Sequence, residues 1–332
     1  MNTEPLSFQK VLDALLDNST EFPQRYLREF SDIGTLELRT LLDVWPRVVL
    51  SRKLSLLEEL TTLSDNDTLV SFDDFACALL TDPDPQVRIR AIRLLHEYED
   101  PKIVPSYLDM LKSDADTNVR VAAANAINLF VDLGELEEIP ENIYHQIEDA
   151  LLMSITGEDD SRVRRTALES LGYSSRPEVS TLIQSSFHRE EPSWKVSALI
   201  AMGRSADDRW DEDVTRSLVS ENDSIRKAAV QAAGELSLKS TRPLLLKMLG
   251  EEEDDEIVSA IIWSLSQIGG EDVRTYLESL LDQLEEDDEQ IAFLEEALDN
   301  LAFTEDLERF DLLAVDPEDE LVELEEDDDE EK

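Results

Sequence analysis

Cysteine, histidine and glycine are nearly missing from this chain, and each shortage removes a class of explanation. Cys77 is the only cysteine, so no intramolecular disulfide can form, which favours a reducing compartment. The three histidines, His96, His145 and His188, lie in different parts of the chain without the paired spacing of metal ligands. Glycine, at 9 residues, and aromatics, at 6%, are too sparse for many small β proteins and point towards helices. No stretch approaches the roughly 18 apolar residues of a membrane span, and the start, MNTEPLSFQKVLDALLDNST, lacks the basic and apolar segments of a signal peptide. Phosphate-binding glycine loops, HExxH and nucleophile-elbow motifs are also missing. The fragment Asp114–Asn118 resembles a calcium loop, but Val119 stands where glycine must turn and Asn125 where the bidentate glutamate belongs. We expect a non-enzyme with no cofactor and no metal, soluble and cytoplasmic.

Charge is present in excess, and of one sign. The 332 residues carry a net −48, with 78 acids. Such a field repels nucleic acid and anionic membranes and attracts basic proteins, polyamines and cations. Lysine is rare, 9 against 21 arginines, so adaptation to salt or solubility explains the acidity equally well. The charge is uneven: residues 304–332 hold 16 acids and 2 bases, ending in EEDDDEEK. Beyond about Asp316 that composition predicts disorder. The tail is read either as solvating or as an acidic-hydrophobic segment that docks on a basic partner.

The most informative feature is a repeat. Val87, Val119, Val163, Trp194, Ile225, Ile257 and Gln290 are anchors separated by 32, 44, 31, 31, 32 and 33 residues. A period in the thirties with helical spacing inside each unit means stacked helix pairs. The first helices of the pairs include Pro101–Leu111, Pro177–Phe187, Arg242–Leu249 and Asp272–Leu281. An acidic turn and the anchor helix follow, and Gly172, Gly203, Gly234 and Gly269 close the anchor helices. Acids or Asn before a helix serve as caps, and the glycines are expected in left-handed C-terminal turns.

Columns within the repeat separate inside from outside. Four, five and eight residues after the anchor stand apolar or small residues, such as Ala91, Ala123, Ala167, Ala198 and Ala229, which form the core. Six and ten after the anchor the residues vary, so these columns face solvent and line the concave groove of a solenoid. The long gap after Val119 hides about a dozen extra residues within Val131–Glu141, read as a longer connector or a partner-contact loop. Residues 1–71 are helical without a clean repeat and suit an N-terminal cap, because a terminal unit must meet water. Trp45 would be the notable residue of a separate docking module. The organisation expected is a cap at 1–71, a solenoid at 72–303 and an acidic tail at 304–332.

The segments DPDPQVRIRAIRLL, DADTNVRVAAANAI, GEDDSRVRRTALESLG, EEPSWKVSALIAMG and ENDSIRKAAVQAAGEL resemble HEAT-like repeats, of the short bacterial type found in phycobilisome bilin lyase subunits. The resemblance implies an all-α, right-handed solenoid of about seven helix pairs. It also implies a structural ladder between units. That ladder would join the acids Asp84, Asp116, Asp160 and Glu191, continued by Asn222, Asp254 and Asp287, to the bases Arg88, Arg120, Arg164, Lys195 and Arg226. Val258 and Ile291 break the basic column. HEAT-like metalloenzymes of the deoxyhypusine hydroxylase type carry several His-Glu pairs, whereas His96-Glu97 stands alone here.

The function expected is a protein-binding scaffold using the groove positions Arg93, Asn125, Glu169, Tyr173, Ile200, Arg204, Gln231, Trp263 and Gln267. Aromatic and arginine side chains dominate interface energies. A basic partner is favoured by the charge, with neither nucleic acid nor membrane insertion. The alternatives are an acidic chaperone-like factor for a basic protein and an accessory subunit of a bilin-lyase-like modification complex.

Overall fold

A computed structural model of the chain describes residues 7–284 and 290–313, with side chains described to residue 307. Every described element is helical. The chain divides into two compact units, residues 1–182 and 183–332.

In the first unit, α1 (Phe8–Leu16), α2 (Thr35–Val44) and α3 (Leu50–Asn66) are followed by α4 (Asp73–Leu79), α5 (Pro85–Leu94), α6 (Val104–Ser113) and α7 (Thr117–Ala126). Next come α8 (Asn128–Glu135), α9 (Glu141–Thr156) and α10 (Ser161–Leu171). The division falls within α11 (Pro177–Phe187). Helices α3, α5, α7 and α10 pack side by side as one layer, with α4, α6 and α9 forming the other. The second unit repeats this plan. Its first layer is α12 (Pro192–Arg204), α14 (Asp223–Glu235), α16 (Asp255–Ile268) and α18 (Gln290–Leu313). Its second layer is α13 (Asp211–Ser217), α15 (Arg242–Leu249) and α17 (Glu271–Leu281).

The apolar columns are the core. The anchors Val87, Val119, Val163, Trp194, Ile225 and Ile257 are buried, as is the whole column from Ala91 to Leu294. Burial of a Val or Leu side chain contributes on the order of 1.5–3 kcal/mol, so these columns hold the layers together. The last anchor, Gln290, is exposed. The acidic turns cap as expected: the carboxylates of Asp84, Asp116 and Asp160 accept the N–H of Gln86, Asn118 and Arg162 at 2.7–2.8 Å. Asn222 and Asp254 cap the helices of the second unit in the same way.

The N-terminal segment is built into the first unit. Trp45 is 4% exposed, stands edge-on to Phe75 at 5.3 Å between ring centroids, and donates its indole N–H to Asp82 at 2.7 Å. A side chain so enclosed offers nothing to a docking partner. The extra residues after Val119 become α8, which runs on from α7 and turns back at Glu137, whose φ is 60°.

The glycines correct an expectation. Gly269 does adopt a left-handed conformation, with φ of 76°. Gly172, at φ −54°, is right-handed, and Gly203 and Gly234 lie inside their helices. The left-handed residue stands three positions later, at Ala206 and Ser237, with φ of 47° and 49°. The Ser237 N–H then bonds the Gly234 carbonyl and the Leu238 N–H the Ala233 carbonyl. That double bond pattern stops a helix without requiring glycine. Gly203 and Gly234 serve packing instead. A Cβ on Gly234 would lie 2.7 Å from the Cα of Ser264, and one on Gly203 would lie 3.0 Å from the Cα of Ala232. The absent side chains let neighbouring first-layer helices close up.

Candidate binding face

A helix turns about 100° per residue. Taking each anchor as zero, the buried positions four, five and eight later span an arc of about 140°. Positions six and ten point to about 240° and 280°, away from that arc. The structure agrees: Arg93, Asn125 and Gln231 are exposed, and Glu169, Tyr173, Ile200, Arg204, Trp263 and Gln267 are half-exposed. None belongs to the core.

In the first unit, Arg93 and Asn125 line one depression between α5 and α7, with Ile92, His96 and Leu129 around them. Arg93 reaches Glu58 of α3 at 3.4 Å, and Arg90 approaches the same carboxylate at 3.6 Å. In the second unit, Ile200, Gln231 and Trp263 form one row across α12, α14 and α16. Arg204, Glu235, Gln267 and Asn300 form a second row one helical turn further on. Glu235 rests its carboxylate over Gly203, and Gln267 its amide over Gly234. Surrounding protein pushes the Glu235 carboxyl above its ordinary range, while Arg204 pulls the other way. The side chain still meets water, as a group lying on the floor of a face does.

The ladder exists with different acids from those expected. Arg88 grips Asp114 at 2.9 and 2.7 Å, Arg120 grips Asp159 at 2.9 and 2.7 Å, and Arg226 grips Glu252 at 2.8 and 3.3 Å. Each of these arginines also donates to the carbonyl six residues before it, of Asp82, Asp114 and Ser220, at 2.7–2.8 Å. Asp84, Asp116 and Asp160 are committed to capping, which turns their carboxylates onto their own helices. The acid at the head of each turn is the one that meets the preceding unit. Arg120 holds the Asp159 carboxyl below the usual carboxylate range, and Arg226 does the same to Glu252. Arg164 donates to the Ile155 carbonyl at 2.9 Å. Among the described residues Lys195 makes no ion pair, and Glu191 caps α12 without a side-chain bond. Asp287 lies outside the described residues.

Three features escaped the sequence reading. Lys53 on α3 meets Asp82 at 3.2 Å, so the ladder begins one unit before the recognisable repeats. The signal was there: Asp82, Asp114 and Glu252 each stand five residues before an anchor. Seven after the anchor, Ser170 and Ser264 donate to the Ala124 and Val230 carbonyls of the preceding first-layer helix at 2.8 Å. Finally, Glu148 is 1% exposed and gathers Ser174 at 2.6 Å and His145 at 3.0 Å, with Arg176 at 3.9 Å. The hydrogen bond that the His145 ring donates to the Glu148 carboxylate is the main cause that raises His145 above its ordinary pKa. His96 is remote from both other histidines in sequence and approaches Asp65 at 3.9 Å and Glu97 at 3.6 Å.

The family of HEAT repeats matches residues 74–140 and 212–299. No curated protein matches the chain in sequence. Among solved structures, the chain is similar to the complex of CpcE and CpcF of phycocyanin lyase from Nostoc sp. PCC7120, at 15% identity and a TM-score of 0.49, covering 91% of this chain and 97% of that one. It is also similar to human deoxyhypusine hydroxylase, at 14% identity and a TM-score of 0.33, covering 79% and 95%. Among the described residues no helix is long and apolar enough to cross a membrane.

Proposed function

Since the chain is a HEAT-like repeat protein, we propose that it is a non-enzymatic scaffold whose exposed first-layer helix faces bind a protein partner. One observation carries this reading. The variable columns lie off the core, and among the described residues the side-chain amides of Asn125, Gln231 and Gln267 and the indole N–H of Trp263 make no hydrogen bond. Half-exposed aromatic and polar groups without internal partners are suited to an interface, where truncating an anchor costs on the order of 2 kcal/mol. A stability role would instead show these groups bonded to the protein itself.

The test is direct binding. A partner recovered with the chain from its own cells is purified and titrated against the wild type and against the double variant Trp263→Ala, Tyr173→Ala. Loss of more than tenfold in affinity is expected, with the folded state checked by circular dichroism. Unchanged affinity refutes the reading. The charge offers a second reading, a shield for a basic protein acting through the acidic tail, much of which lies outside the described residues. That reading requires binding to collapse with salt and with deletion of residues 305–332.

A further inference from the structure

We infer that the second-unit face takes an extended, lysine- or arginine-bearing segment of the partner, with Gln231, Gln267 and Trp263 holding its main chain and Glu235 its cation. The inference rests on the scaffold reading above and adds the chemistry of what is bound.

The hydrogen-bonding inventory selects an extended segment. A carboxamide carries a donor and an acceptor on one planar group, and so does a peptide unit. In a helix the partner's main-chain groups are already paired, leaving side-chain amides little to bond. In an extended chain they are open and require partners. Gln231 on α14 and Gln267 on α16 present free amides from adjacent helices, and the Trp263 indole adds a donor beside them. Packed helices lie roughly 8–10 Å apart, and an extended chain rises about 3.3 Å per residue. About three residues of the bound segment therefore cross from one helix to the next.

Charge selects the side chain. Glu235 stands one turn beyond Gln231 on α14 and makes no hydrogen bond or ion pair among the described residues. It lies against the glycine backbone at Gly203, where protein has replaced part of its water. Arg204 offsets that loss in part, yet burial dominates and the carboxyl stays above its ordinary range, so a partly desolvated carboxylate with no cation hydrogen-bonded to it remains costly. A partner's ammonium or guanidinium arriving beside it would remove that cost. Trp263 presents an aromatic face on the same surface, to which the aliphatic stem of a long cationic side chain is suited.

The test uses the full chain and labelled peptides of Gly-Ser-Lys repeats and Gly-Ser-Glu repeats, followed by fluorescence anisotropy at two salt concentrations. The lysine peptide should bind and the glutamate peptide should not. Glu235→Gln should weaken the lysine peptide about tenfold and flatten its salt dependence. The double variant Gln231→Ala, Gln267→Ala should weaken it by a similar factor while leaving the salt dependence intact. Melting curves of all variants confirm that they fold. Equal binding to the wild type and both variants would place the attraction in the overall acidity and overturn the inference, as would no binding by the wild type. A partner that needs Trp263 and Tyr173 while the lysine peptide is ignored would leave the scaffold reading standing and remove this one alone.

Discussion

Replacing Arg120 by alanine is the sharpest probe of how the units are joined. The guanidinium makes two hydrogen bonds to Asp159, one to the Asp114 carbonyl at 2.8 Å and one to Thr117 at 3.2 Å. Its side chain is 17% exposed and that of Asp159 27%. Exposed ion pairs contribute at most about 1 kcal/mol, whereas removing one partner of a fully buried pair costs about 3–5 kcal/mol. This rung lies between, so Arg120→Ala should cost about 2–3 kcal/mol. For a unit of this size that lowers the melting temperature by roughly 5–10 °C. Arg93 is the control. It is 61% exposed with one contact at 3.4 Å, and its loss should cost below about 0.5 kcal/mol. Calorimetry and urea titration measure both. A double-mutant cycle then identifies the partner: Arg120→Ala and Asp159→Ala should couple by about 1–2 kcal/mol, and Arg120→Ala with Asp116→Ala by much less. Equal melting shifts for Arg120 and Arg93, or stronger coupling to Asp116, would refute the ladder as described.

Four further outcomes follow from the helix packing and the buried polar contacts. Gly234→Ala should destabilise by about 2 kcal/mol, because the new methyl meets helix backbone. Gly250→Ala, where the nearest atoms are 3.6 Å away, should leave the urea midpoint within error or raise it. Lys53→Met keeps the apolar stem but leaves the Asp82 carboxylate, 2% exposed, bonded among the described residues to the Trp45 indole and the Asp84 N–H alone. A loss of about 3 kcal/mol in urea unfolding is expected, and a neutral result would remove the first rung. His145 should titrate above its ordinary value by NMR and return towards it in Glu148→Gln. Since its folded pKa is raised, its contribution to stability is complete below about pH 6.5 and is lost as pH rises through the raised value. An unshifted titration in the wild type would contradict the geometry around Glu148.

Much of the layer arrangement could be read in the chain itself. The anchors and the alanine column recur at a fixed period because every unit solves the same burial problem, and a helix repeats its faces every 3.6 residues. Residues that vary between constant apolar neighbours had to lie off the core, and Gln231 and Trp263 do. The caps were equally legible, because Asp84, Asp116 and Asp254 act on N–H groups two or three residues away. What spans units was not. Whether Arg120 takes Asp116 or Asp159 depends on which carboxylate remains free after capping, and the two acids are alike in sequence. Gly234 looked like a helix stop because glycine stops helices; that it admits Ser264 is a fact about a neighbour 30 residues on. Trp45 allowed the alternative of a docking module beside the cap reading, until Phe75, Lys53 and Asp82 enclosed it. Local periodicity and capping are set by residues within a few positions of each other, so the sequence alone determined them. Choices among chemically equivalent partners far apart in the chain were decided only when tertiary packing brought one of them within hydrogen-bonding distance.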